Sequence, residues 1–164
     1  MKTPERMGYA CINMQLSQPK QFGSDPKAPR VFTNRTMIRR TFDNKGVDYA
    51  SSLALENCID LYQILQWNHQ NGFNFFRVSS NLFPWASEYE FEDLKDYEQI
   101  IYWLDKCGQL ARDTDQRLTT HPGPFNKLAS PRANVVKNTI KDLEIHGWIM
   151  DKLGMPRSHW AKIN

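Results

Sequence analysis

Three cysteines in 164 residues, Cys11, Cys58 and Cys107, are odd in number and widely spaced, which suits neither a disulfide framework nor a zinc ribbon. They read as reduced, mostly buried thiols. The chain also lacks an apolar run long enough to span a bilayer, and the stretch MKTPERMGYACINMQ has no sustained hydrophobic core of the kind a signal peptide needs. The expectation is a soluble, intracellular, cytoplasmic protein with no membrane partner. Short internal repeats and low-complexity tracts are missing too. So is a strong charge of one sign: the formal net charge of +3 is too small to argue for nucleic acid by itself.

What is present is enough for one folded unit, since 164 residues with 40% apolar content can bury a real core. The charges are placed unevenly. Lys27, Arg30, Arg35, Arg39, Arg40 and Lys45 face only Asp43 in their segment, whereas Glu88, Glu90, Glu92, Asp93, Asp96 and Glu98 crowd a later one. One face is expected to be basic.

Hydrophobic spacing gives the elements. GYACINM, Gly8 to Met14, reads as a short buried strand, and Gln15 to Asp48, rich in Pro and Gly, as a long connection with one extended piece around RVFTNRT. Leu55, Cys58, Ile59, Tyr62 and Leu65 then recur at helical spacing from about Tyr49, with Gly72 as the stop. Phe73 to Ser80 is a second strand, NLFPWASEYEFEDL a polar-aromatic loop, Asp96 to Ala111 a second helix and QRLTTHP a third strand. Ser130 as N-cap and Pro131 at the first helical position open a third helix, whose apolar set (Val135, Val136, Ile140, Leu143, Ile149, Met150, Leu153) continues to Gly154. HWAKIN begins a fourth strand. This alternation predicts right-handed βαβ units around a parallel sheet, about half of the eight strands a closed barrel needs.

Ligands of such sheets gather at the carboxyl ends of the strands. There the sequence offers Asn13, Ser79, Ser80, Asn81, Glu88 and His121. An imidazole with a carboxylate suits Mn²⁺, Fe²⁺ or Zn²⁺. The competing reading makes His121 a histidine bonded to a loop carbonyl and Glu88 a solvated acid beside Glu90 and Glu92. His146 is assigned to packing, His69 and His159 to the surface or caps, and the tryptophans to the core, with Trp85 set apart because it lies beside Glu88.

The ordered segments MGYACIN, TNRTM, LQWNHQNGFNFFRVSSNLFPWAS, TTHPGPFNKLASP and VVKNTIKDLEIHGWIMDKLGM make the chain resemble the N-terminal half of the UV damage endonuclease family. That resemblance implies the N-terminal half of a TIM (β/α)8 barrel, three β/α units plus the start of a fourth strand, as one partial domain over residues 1–164. It implies nicking of UV-damaged double-stranded DNA on the 5′ side of photoproducts with a divalent metal, Mn²⁺ first, Mg²⁺ or Zn²⁺ as alternatives. By position, His121 matches the metal-binding histidine of the family's His-Pro-Gly motif, Tyr9 a tyrosine at the damaged-DNA site, and Asn13 an asparagine near the end of the first strand. The rigid Pro122-Gly123-Pro124 turn would hold the ligand and aim the side chains after it.

Departures from the family pattern shape the remaining expectations. Glu88 stands where the family has a histidine, and a carboxylate still binds Mn²⁺. Pro124 replaces a glutamine that would probe the lesion by hydrogen bond, while Phe125 keeps the aromatic ring for wedging or stacking. Arg35, Arg39 and Arg40 are expected to contact phosphates, with Lys127 a weaker candidate. The family's next ligand belongs to an Ile-His-x-Gly-Gly motif on strand four, and this sequence stops at Asn164, where that motif would begin. A site completed by a complementary half or a second copy is therefore expected, with the isolated chain inactive or nearly so. The alternatives are a non-catalytic half barrel that binds DNA or a partner half, and a sugar isomerase or abasic-site endonuclease on a similar barrel.

Overall fold

The computed structural model describes residues 6–163. Residues 1–5 of the N-terminal stretch and Asn164, the last position of the expected fourth strand, lie outside them. In chain order the elements are strand β1 (Gly8–Ala10), helices α1 (Met14–Ser17), α2 (Pro19–Phe22) and α3 (Arg39–Gln70), strand β2 (Phe75–Val78), helix α4 (Tyr97–Asp113), strand β3 (Arg117–Thr120) and helix α5 (Ala133–Lys152). The three strands form one parallel sheet in the order β1-β2-β3, with Tyr9 beside Phe76 and Phe76 beside Leu118. This is the expected alternation. The fourth strand is present as a single parallel bridge, Thr120 to Ile163, with the Thr120 N–H donating to the Lys162 carbonyl at 3.2 Å.

The sheet's helix-facing side chains, Phe76, Val78 and Leu118, are fully buried against Ala54, Cys58, Leu61 and Leu65 of α3 and Ile100, Leu104 and Cys107 of α4. The spacing within each helix is the one-face pattern of a half-buried helix. Gly72, at φ +75°, ends α3 as its sequence suggested, and Gly154, at φ +62°, follows α5. Gly108 serves another purpose: it lets α4 and α5 close on each other, since a Cβ there would lie 1.8 Å from the Leu153 carbonyl oxygen.

The expectations fail where side chains replace backbone partners. The strand at Gly8–Met14 ends at Ala10, because Cys11 turns into the left-handed region (φ 62°) and Asn13 becomes the N-cap of α1, accepting the Leu16 N–H at 3.0 Å. The long connection is partly helical, and α3 begins at Arg39, broken at Gly46 (φ 67°, ψ −163°). RVFTNRT pairs with no strand among the described residues. Its backbone is held by α3 side chains instead: Asp60 accepts the Phe32 N–H, and Asn57 accepts the Arg35 N–H while donating to the Arg35 carbonyl. The polar-aromatic loop after β2 buries Leu82, Phe83, Tyr89, Phe91 and Leu94, with Phe91 stacked on Trp148 of α5 at 3.8 Å. α5 starts later than expected, capped at Arg132, and Ser130 Oγ accepts the Arg132 N–H at 3.2 Å in the turn before it. No helix among the described residues is long and apolar enough to cross a membrane.

Candidate functional site

The segments leaving the carboxyl ends of β1 and β3 converge. Cys11 Sγ lies 3.1 Å from His121 Nε2, and His121 Nδ1 lies 3.1 Å from the Pro122 carbonyl oxygen. A carbonyl only accepts, so Nδ1 carries the proton and Nε2 is the acceptor toward the thiol. Burial raises the Cys11 pKa, with the Arg77 charge opposing, which keeps the thiol protonated as that donor role needs. The loop-carbonyl bond foreseen for a non-functional histidine is thus present, and it leaves Nε2 as the nitrogen whose lone pair faces the site.

Tyr9 and Asn13 also come together. The Asn13 amide donates to the Tyr9 hydroxyl at 2.7 Å, and that hydroxyl donates to Asn68 Oδ1 at 2.5 Å. Burial pushes the Tyr9 pKa up to about 12, against the opposing effect of both asparagines. Its ring meets Phe73 and Phe76 edge-on at 5.5 and 5.2 Å.

The basic segment divides. Arg35 is an internal strut, paired with Glu56 at 2.9 Å and Asp60 at 2.7 Å, donating to the Phe32 carbonyl and lying 4.1 Å over the Phe32 ring. Arg39 pairs with Asp43 at 2.8 Å and with Glu88 at 3.0 Å. Arg40 is exposed and makes no ion pair among the described residues. Glu88 is therefore engaged with Arg39, and Trp85 is packed beneath them, stacked on Phe42 at 5.6 Å with its indole N–H donating to the Met37 carbonyl.

After His121 the chain turns through Pro122-Gly123-Pro124 and presents Phe125, 86% exposed. Helix α5 grips this turn. Asp142 Oδ2 accepts the Gly123 N–H at 3.1 Å and an Asn126 side-chain N–H, and Thr139 Oγ1 accepts the Lys127 N–H at 2.9 Å. His146, assigned to packing from its spacing, is buried as expected but also bonds through Nδ1 to Thr120 Oγ1 at 2.8 Å. Burial lowers its pKa, with Asp142 opposing and His121 adding to the depression, so it is neutral at pH 7. Sequence reasoning missed Cys11, Thr139 and Asp142. The spacing 139, 142, 146, three polar residues on one face of an otherwise amphipathic helix, was the available signal.

His121 offers one metal-binding nitrogen, yet among the described residues no group of three or more His, Cys, Asp and Glu side chains could hold a metal ion.

A parallel sheet with covering helices, and polar loops meeting at the carboxyl ends of its strands, defines a partial α/β barrel-like protein. Residues 5–164 match the family model of UV-endonuclease UvdE, and the chain belongs to that family. It is 37% identical to a UV-damage endonuclease of Schizosaccharomyces pombe over 90% of this chain and 23% of that protein. With a putative UV-damage endonuclease of Acanthamoeba polyphaga mimivirus the identity is 32% over 91% of this chain and 42% of the other. Among solved structures, SacUVDE superposes with a TM-score of 0.74 at 27% identity, over 96% of this chain and 47% of that one. The chain thus spans less than half the length of each of these relatives.

Proposed function

We propose that the chain forms the first part of a TIM-barrel endonuclease that nicks DNA 5′ to UV photoproducts. The observation that carries this is one loop at the end of β3, in a member of this family, holding His121 against Cys11 and projecting an almost fully exposed Phe125. An aromatic ring this bare suits stacking on, or wedging between, bases at a weakened step.

In this reading His121 Nε2 is a ligand to a divalent ion, Mn²⁺ first and Mg²⁺ or Zn²⁺ next, with Glu88 a second ligand once released from Arg39. Further donors are required, from a complementary half or a second copy, and no catalytic step is assigned through the ion. Tyr9 stands on the DNA side near the end of β1, with the buried Asn13 acting through its bond to the Tyr9 hydroxyl, and Pro124 stiffens the turn under Phe125. Arg39 and Arg40 meet phosphates. Arg35 acts indirectly, by fixing the segment that leads to them.

The test is incision of a duplex oligonucleotide carrying one thymine photoproduct, with Mn²⁺, beside undamaged duplex and a His121→Ala control, with binding of both duplexes measured in parallel. A 5′ nick, or preference for the damaged duplex that falls with salt, supports the reading. Equal affinity for damaged and undamaged DNA with no nick in any assembly state would sink it.

A further inference from the structure

Helix α5 turns Thr139, Asp142 and His146 toward the end of β3 and the segment that follows it, and each holds a different point. His146 holds Thr120 at the end of the strand, Asp142 holds Gly123 and Asn126, and Thr139 holds Lys127. Thr139 and His146 are 2% and 1% exposed, so water competes little for their bonds. Within the turn the Asn126 side-chain N–H also donates to the Gly123 carbonyl at 2.9 Å, and His121 is held by Cys11 and the Pro122 carbonyl, but none of these ties the Gly123–Asn126 stretch to a helix. The turn's own backbone bonds, Asn126 N–H to the Gly123 carbonyl and Ser130 N–H to the Lys127 carbonyl, are long at 3.4 and 3.2 Å, and Pro122 and Pro124 have no N–H to give. A carboxylate that accepts from two separate points of one turn makes charge-assisted bonds, stronger than neutral ones.

We infer that Asp142 is a positioning residue: from the face of α5 it fixes the His121–Asn126 turn, and so sets where the His121 imidazole and the Phe125 ring stand. Thr139 supplies a second pin at the far end of the loop. The clamp is independent of what the loop does. Only its consequence for DNA rests on the endonuclease reading, where a loosened turn costs discrimination of damaged from undamaged duplex.

Amide hydrogen exchange and the ¹⁵N–¹H imidazole correlations of His121 test this by NMR in wild type, Asp142→Ala, Asp142→Asn and Thr139→Val, with near-UV circular dichroism as the check on folding. In Asp142→Ala, exchange at Gly123 should speed up about ten- to a hundredfold, the effect of losing a hydrogen bond to a charged group, and the His121 signals should shift. The Leu118 and Thr119 amides should keep their protection. Asp142→Asn retains a carbonyl acceptor and should recover most of the Gly123 protection, whereas Thr139→Val should release Lys127 alone. Unchanged Gly123 exchange in a folded Asp142→Ala overturns the inference. If that variant does not fold, equal release of Gly123 and Leu118 in Asp142→Asn, or no release of Lys127 in Thr139→Val, overturns it equally. Wild-type protein without preference for damaged duplex, combined with the expected exchange pattern, would refute the endonuclease reading and leave the positioning role standing.

Discussion

Cys11 and His121, 110 residues apart in the chain, meet thiol to imidazole at 3.1 Å across the carboxyl ends of two strands. The burial that raises the thiol's pKa disfavours the reactive thiolate, yet Cys11 keeps partial exposure while Cys58 and Cys107 have none. Iodoacetamide at pH 8 should therefore alkylate Cys11 in the native protein several-fold more slowly than a model cysteine. Cys58 and Cys107 should react only when the protein opens, on the order of a hundredfold or more slower still. Peptide mapping by mass spectrometry after timed labelling reads all three. Early labelling of Cys58 ahead of Cys11 would contradict the packing described for α3.

Two neighbouring arginines should separate stability from binding. Arg35→Ala removes the partners of Glu56 and Asp60 and leaves the nearly buried Asp60 carboxylate with only amide donors. Since the Arg35 side chain is 17% exposed, the loss should be about 2–4 kcal/mol in urea unfolding. Arg40→Ala touches no partner among the described residues and should stay within about 0.5 kcal/mol of wild type. In the DNA-binding reading, Arg40→Ala instead flattens the logarithmic salt dependence of affinity by about one unit. An Arg40→Ala protein with wild-type salt dependence would remove that residue from the interface.

The alternation of strands and helices was legible because each element carries its own periodicity, although in α3 only Cys58 and Leu65 of the expected stripe are fully buried, Leu55, Ile59 and Tyr62 are half-buried, and Leu61 and Ile64 complete the core face. The region from Gln15 to Asp48 was not. Its extended piece is held at Phe32 and Arg35 by Asn57 and Asp60, residues more than twenty positions along the chain whose side chains stand in for a neighbouring strand. The same blindness explains the arginines: Arg35 and Arg40 look alike in sequence, and only the position of Glu56 and Asp60 on the next helix makes one a strut. His121 was legible through its stiff Pro-Gly-Pro turn, but Asp142, which holds that turn, lies on an element whose signal is its apolar face.

Glycines in α4 and α5 should respond in opposite directions to the same substitution. Gly108→Ala drives a methyl group into the Leu153 carbonyl and forces the two helices apart, disturbing the Arg112 bonds to the Leu153 and Gly154 carbonyls. The expected loss is about 1–3 kcal/mol. Nothing lies within 4 Å of a Cβ at Gly147, inside α5, so Gly147→Ala should gain about 0.5–1 kcal/mol from helix propensity. Thermal unfolding of the two variants beside wild type decides the matter, and a neutral Gly108→Ala would mean that the α4–α5 contact yields more easily than its spacing implies.

Tyr9 should give the protein an alkaline weakness that can be removed. Its folded-state pKa of about 12 lies above the ordinary value of 10.0, chiefly because burial disfavours the phenolate. Between those two values the unfolded chain has released the proton and the folded protein still holds it, so the unfolded state binds fewer protons and stability falls as pH rises from about 10 to about 12. Below about pH 10 the contribution is fully present. With allowance for the partial exposure of the ring, the loss across that window is about 1–2 kcal/mol. Tyr9→Phe lacks the titrating group and should be flatter there by that amount, although it starts lower at pH 7 by about 1 kcal/mol for the lost bonds to Asn13 and the fully buried Asn68. Tyr89, also raised by burial, is common to both proteins, so the difference between their stability curves isolates Tyr9. Parallel curves from pH 9 to 12 would mean that water reaches the Tyr9 hydroxyl freely, and that the chain of bonds from Asn13 through Tyr9 to Asn68 is open at the end of the first strand.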